Sequence, residues 1–172
     1  MRKTNIQPWS EEWKVAYDQE KKLLKEIVKD ELLDIFHIGS TSVAAIGYAK
    51  PIIDMLIVVK DIEKVDRYNE ALRKVGYEPK GENGIAGRRY FLKGKENRTH
   101  HVHIFQVGNE HIQTHLDFKM YLMAHPEDAK AYGELKLKLA RQFPEDHHKY
   151  QEGKQEFVNG LVEKARGWGA SR

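Results

Sequence analysis

The stretch Pro51-Ile52-Ile53-Asp54-Met55-Leu56-Ile57-Val58-Val59 constrains this chain more than any other. Its apolar residues fall on both parities, so a strand laid through it is apolar on both faces and belongs in the middle of a covered sheet. Asp54 contradicts its neighbours. A carboxylate buried there without a partner would cost several kcal/mol, so it needs a cation, a strong donor or the water of a cleft. A cleft is the natural answer near a strand end, where ligands of open α/β sheets gather. A salt bridge with Lys50 or with an arginine such as Arg89 is the structural alternative.

The flanking segments supply the covering layers. Ser10 is a suitable N-cap, with Glu11 and Glu12 in the first turn, and Trp13, Tyr17, Leu24, Ile27 and Val28 recur at helical spacing. This first helix is expected to end near residues 30–33. A short strand over 35–38 runs into a tight Gly39-Ser40-Thr41 turn, followed by a short helix ending near Gly47. Ile62, Val65, Leu72 and Val75 make a helical stripe that stops at Gly76. Residues 81–87 form a glycine-rich loop, and strands over 89–93 and 99–107 are joined by a turn at 94–97. From His115 the chain reads as helical. One helix covers 116–123. The next opens at Pro126, buries Tyr132, Leu135, Leu139 and Phe143, and is broken by Pro144; the last carries Tyr150, Phe157, Leu161 and Ala165. The expected class is α+β: a central mixed sheet flanked by helices, with a helical C-terminal part over 115–166, in one domain spanning 1–172.

Composition narrows the function classes. With 40% hydrophobic and 32% charged residues the chain can build a core and is too balanced for disorder. It has no cysteine, which excludes disulfides, thiol nucleophiles and Cys-ligated zinc, so a metal would have to use histidine and carboxylate. No apolar run is long enough to cross a bilayer, and Met1-Arg2-Lys3 leads into polar Thr4-Asn5 rather than a signal segment. A cytoplasmic protein with no membrane partner is expected. A net charge of +3 is too weak an excess to call for nucleic acid. A small phosphate or nucleotide ligand fits better.

Several residues could carry that chemistry. The backbone N–H groups and hydroxyls of Gly39, Ser40 and Thr41 occupy one small volume after a strand, which suits a phosphate oxygen; an ordinary capped turn is the alternative. In Thr99-His100-His101-Val102-His103-Ile104-Phe105, Val102 and Ile104 share the core face, and His101 and His103 share the other, about 7 Å apart along the strand. Such a pair can approach one metal or phosphate, or act as acid and base. His37 alternates against Phe36 and Ile38 just before the Gly-Ser turn and follows the same logic, so the metal candidates are Asp54, His37, His101 and His103. Lys119, Lys136 and Lys154 each fall on a helical apolar stripe; snorkelling explains any one, while three together suggest an anionic ligand. Arg88 and Arg89 follow the glycine-rich loop and could pair bidentately with phosphate.

These stretches resemble the GrpB family: His37 to Val43 in order, Lys50-Pro51-Ile52-Ile53-Asp54, Gly84-Ile85-Ala86-Gly87-Arg88-Arg89-Tyr90-Phe91, Arg98-Thr99-His100-His101-Val102-His103, residues 116–122, His125-Pro126, Leu135-Lys136 and residues 150–157. The likeness runs from Pro8-Trp9 to the last helix and implies a nucleotidyltransferase-like fold. In that fold Gly-Ser precedes a helix, and paired acids on the next strand join a third in holding Mg²⁺ against a nucleoside triphosphate. Gly39-Ser40 and Asp54 match that pattern, with Asp54, His101 and His103 as the catalytic candidates. Tyr121 and Tyr150, inside the matching C-terminal stretches, join the substrate-binding set. The second acid would stand at Leu56, which cannot bind metal, and Lys119-Met120 stands where the family has an Arg-Asp pair. One aspartate with two histidines allows a single Mg²⁺, Mn²⁺ or Zn²⁺ ion, or none. The family also occurs fused to dephospho-CoA kinase, which implies nucleotide- or coenzyme-related work: a nucleotidyl or phosphoryl transferase, or a binding module that has lost catalysis.

Overall fold

The computed structural model describes residues 4–171. Strand β4 (Ile53–Val59) is central, as its two-sided apolarity requires. It pairs antiparallel with β2 (Leu32–Ile38) and parallel with β7 (His100–Gln106). Beyond β7 lie β6 (Arg88–Lys93) and β5 (Tyr77–Pro79), both antiparallel to their neighbours, giving the order β2-β4-β7-β6-β5. A two-stranded ribbon of β1 (Gln7–Pro8) and β3 (Tyr48–Ala49) stands apart.

The two faces of the sheet are covered differently. One carries Ile53, Met55, Ile57, Val59, Val102 and Ile104 into the main core, closed by α1 (Glu12–Val28), the 3-10 segment Ile62–Tyr68 and α2 (Asn69–Lys74). The other packs Ile38, Leu56 and Phe105 against Ile112 and Leu116 of α3 (Glu110–Ala124). Helices α4 (Pro126–Gln142) and α5 (His147–Ala170) extend that layer into a third cluster, where Tyr121, Leu122, Tyr132 and Leu161 meet Val43 and Ile46.

The fold is α+β with the mixed sheet and helical C-terminal part that the sequence predicts, and four local expectations change. The first helix stops at Val28, because Leu32 is already in a strand. The turn after β2 leads into two 3-10 turns, Ser40–Ser42 and Ala44–Ile46, rather than a helix. Helix α3 opens at Glu110, five residues before His115, with Asn109 Oδ1 accepting from His111 N at 2.9 Å. On α4, Lys136 is buried while Leu135 is only half-buried. The short strands β1, β3 and β5 carry too few residues to show a period. No helix among the described residues is long and apolar enough to cross a membrane.

Candidate functional site

Register decides which predicted residues meet. Asp54 is the second residue of β4, at the N-terminal end of the parallel β4–β7 pair, opposite to the strand end expected for an open α/β sheet. Its cross-strand partners are Ile38 and His101, and Leu56 faces His103. Asp54, Leu56, His101 and His103 therefore share one sheet face. His101 Nδ1 lies 3.4 Å from Asp54 Oδ1 and His103 Nε2 lies 3.7 Å from it, with the Asp54 side chain 28% exposed. Burial raises the Asp54 carboxyl; the two imidazoles outweigh it and hold the group well below the usual carboxylate range.

Behind this group, Arg88 is buried and fixes His103. Its guanidinium reaches the Glu82 and Asn83 carbonyls at 3.1 and 2.9 Å and His103 Nδ1 at 3.3 Å, over the face of Tyr90. Arginine has no acceptor, so Nδ1 must accept and the ring proton of His103 sits on Nε2, toward Asp54. In that tautomer His103 is a donor and cannot give Nε2 to a metal. Gly39 closes the other side of the carboxylate at φ +73, where a Cβ would stand 2.7 Å from Asp54 Oδ2.

The helical layer brings cations to the same place. Lys136 Nζ donates to Ser40 Oγ and lies 4.3 Å from the centre of the Tyr132 ring. Lys50 and Lys154 lie over the Tyr150 ring at 4.8 and 5.3 Å, and Lys50 also donates to the His147 ring. Burial lowers the ammonium pKa of Lys136 strongly and that of Lys154 less. No carboxylate among the described residues forms an ion pair with Lys136 or Lys154. The Tyr150 hydroxyl is buried without a hydrogen-bond partner. Gly39, Ser40, Asp54, His101, Lys136, Tyr150 and Lys154 all line one cavity of about 1670 Å³.

Thr41 also lines the cavity, although its hydroxyl is engaged elsewhere, whereas other predicted residues do not join. His37 sits on the opposite sheet face, beside Met55, stacked on Tyr17 with ring centres 4.7 Å apart. Thr41 Oγ1 donates to the Ile52 carbonyl at 3.3 Å and meets His37 Nε2 at 2.9 Å, so it accepts the imidazole proton. Both side chains are consumed by holding the turn, and burial takes His37 down to about 4. Lys119 Nζ donates to the His37 carbonyl at 2.8 Å. Tyr121 donates to Asp128 at 2.5 Å within the helical cluster, and Arg89 pairs with Asp66 at 2.8 Å. Hydropathy period alone could not separate these from the cavity residues, because face parity depends on strand pairing. Conversely, Tyr132, Lys50 and Arg98 line the cavity and were not among the predicted site residues. Lys50 and Arg98 lie three and two residues before the strands that carry Asp54 and His101, and that placement is the available signal.

The family profile described as GrpB protein matches residues 3–164. The chain is 48% identical to UPF0157 protein YqkA of Bacillus subtilis over 99% of its own length, and spans half the length of that relative. It is 35% identical to glutamate-rich protein GrpB of Alkalihalophilus pseudofirmus, over 89% of this chain and 90% of that one. Among solved structures, conserved protein GrpB from Enterococcus faecalis superposes with a TM-score of 0.90 at 41% identity, over 95% of this chain and 99% of that one. Cid1 poly(U) polymerase bound to MgGTP gives a TM-score of 0.53 at 17% identity, over 78% of this chain and 44% of that one, a likeness of fold alone. With the sheet order, the Gly-Ser turn against Asp54 and these matches in agreement, the chain belongs to the GrpB family and has a nucleotidyltransferase-like fold.

Proposed function

We propose that the protein transfers a nucleotidyl group from a nucleoside triphosphate to a small acceptor in the cavity around Asp54. The observation that carries this reading is a pair of ammonium groups, Lys136 buried and Lys154 half-buried, lining the same cavity as Asp54 with no ion pair to a carboxylate among the described residues. Buried unpaired charge is costly, and a polyphosphate is the ligand that relieves it.

Among the described residues no group of three or more His, Asp and Glu side chains is placed to hold a metal, so a divalent ion of the oxygen-preferring kind would take Asp54 as its one protein ligand. Asp54 would hold it through the carboxylate, with ligand phosphates and water supplying the remaining sites, as is usual for Mg²⁺. When bound, such an ion neutralises phosphate charge and polarises the phosphorus under attack. Lys136, Lys154 and Ser40 would grip the β- and γ-phosphates. His101, with Nδ1 turned to Asp54, offers Nε2 to take the acceptor proton. The acceptor oxygen then bonds to the α-phosphorus, the bond from that phosphorus to the bridging oxygen breaks, and its electron pair leaves with pyrophosphate.

A second reading, a nucleotide- or coenzyme-binding module without turnover, is favoured by one observation. Leu56, where a two-metal site would have its second carboxylate, is fully buried against Ile38 and Phe105. Incubation with Mg²⁺ or Mn²⁺ and each nucleoside triphosphate separates the two. The transferase releases pyrophosphate, and Asp54→Asn abolishes the release. Tight binding with no release selects the module.

A further inference from the structure

The cavity is larger than one ligand needs. At about 1670 Å³ it exceeds the range of about 300 to 1,000 Å³ common for small-molecule sites. Its walls also differ. Part of the lining is helical and holds Lys136, Lys154 and Tyr150, and another part is the β6–β7 turn, which contributes Arg98. That turn is built rigidly. Asn97 N donates to the Gly94 carbonyl at 2.8 Å, and at Gly94 (φ +103) a Cβ would stand 2.2 Å from the Asn97 oxygen. Ile53 N donates to the Thr99 carbonyl at 2.9 Å, which ties the turn to β4 one residue before Asp54. Arg98 is held there with its Nε buried and without a hydrogen-bond partner. That Nε is shielded from solvent, so a ligand would meet the rest of the half-buried guanidinium at the cavity wall, where an oxyanion is its natural partner. Glu96 lines the same wall, and Glu78 does so while paired with Lys80 at 3.0 Å. With Lys95 and Arg98 set against Glu78 and Glu96, this wall suits a single oxyanion group better than a polyphosphate.

We infer that Arg98 anchors a second ligand: a small acceptor carrying one phosphate or carboxylate group and a nucleophilic hydroxyl, bound on the β6–β7 side of Asp54 while the triphosphate occupies the helical wall. The placement as acceptor rests on the transferase reading; the oxyanion site itself does not.

Inorganic phosphate and acetate, titrated into the full-length chain and followed by amide chemical shifts and calorimetry, test the site and distinguish the two oxyanions. The expected result is saturable binding of at least one of them, with shifts centred on residues 94–99 and an affinity about tenfold weaker in Arg98→Met. The binding persists when a non-hydrolysable triphosphate analogue is present. Arg98→Gln, which keeps a polar side chain, guards against a folding defect and shows the same loss. Equal binding in wild type and both variants, no binding of either ion, or one-for-one displacement by the analogue overturns the inference. Failure of the analogue itself to bind counts against the transferase reading, while Arg98-dependent binding of the ion would still establish the site.

Discussion

His37 and His101 have similar sequence settings, each next to an apolar residue near a strand end, yet they occupy opposite faces of one sheet. His37 falls on the face sealed by α1, where Tyr17 and Thr41 surround it. His101 falls on the face toward the cavity, across from Asp54. A single step of register separates a histidine that holds a turn from one placed to touch a ligand. The same division separates Arg89, paired with Asp66, from Arg88, which fixes His103.

The strongest challenge to this comparison is at the contact that joins the cavity face to the helical layer. At Gly133 of α4 a Cβ would stand 1.6 Å from the Ile46 carbonyl oxygen, so the glycine lets the helix approach closely enough for Lys136 to reach Ser40. Gly133→Ala should cost about 2 to 3 kcal/mol in urea unfolding, at the upper end of overpacking penalties. It should weaken triphosphate binding as well. Loss of stability without any loss of affinity would show that the helical wall does not depend on that approach.

Acid titration tests the sealed face. His37 is held at about 4 against an ordinary 6.5, mainly by burial and then by Lys119. Between those values the unfolded chain binds a proton that the native state refuses, so stability falls as pH drops from 6.5 toward 4. The full effect is of order 2 to 3 kcal/mol for this group. His115, also taken down to about 4 by burial and then by His103, adds in the same direction. His37→Gln, which keeps a donor for Thr41, should flatten the pH dependence of unfolding. An unchanged slope would mean that His37 is not buried as a neutral group. The smallest expected effect is at Arg89→Met: about 0 to 1 kcal/mol for a partly exposed ion pair, and no change in ligand affinity.

The central strand, the strand-face alternation of residues 100–106 and the helical C-terminal part could be read from hydropathy period, because each runs long enough to show one. Asp54 stood out as the single polar residue in an apolar run, and Lys136 and Lys154 as charges on apolar stripes. The parity of His37, Arg88 and Arg89 relative to Asp54 could not be read, since it depends on pairing between segments distant in sequence. Lys119 failed for a related reason: a lysine on a helical stripe can reach a backbone carbonyl as readily as a ligand, and His37 O was within its span. The 3-10 turns after Gly39 depend on long-range bonds such as Trp9 Nε1 to the Thr41 carbonyl at 3.0 Å, which no local signal announces.

Calorimetric titration of a non-hydrolysable nucleoside triphosphate with Mn²⁺ into wild type, Asp54→Asn and His37→Gln tests the account most directly. It predicts that His37→Gln binds as wild type does, while Asp54→Asn loses about 100-fold or more in affinity with its fold intact. Equal affinity in wild type and Asp54→Asn, or a matching loss in the folded His37→Gln protein, would contradict it.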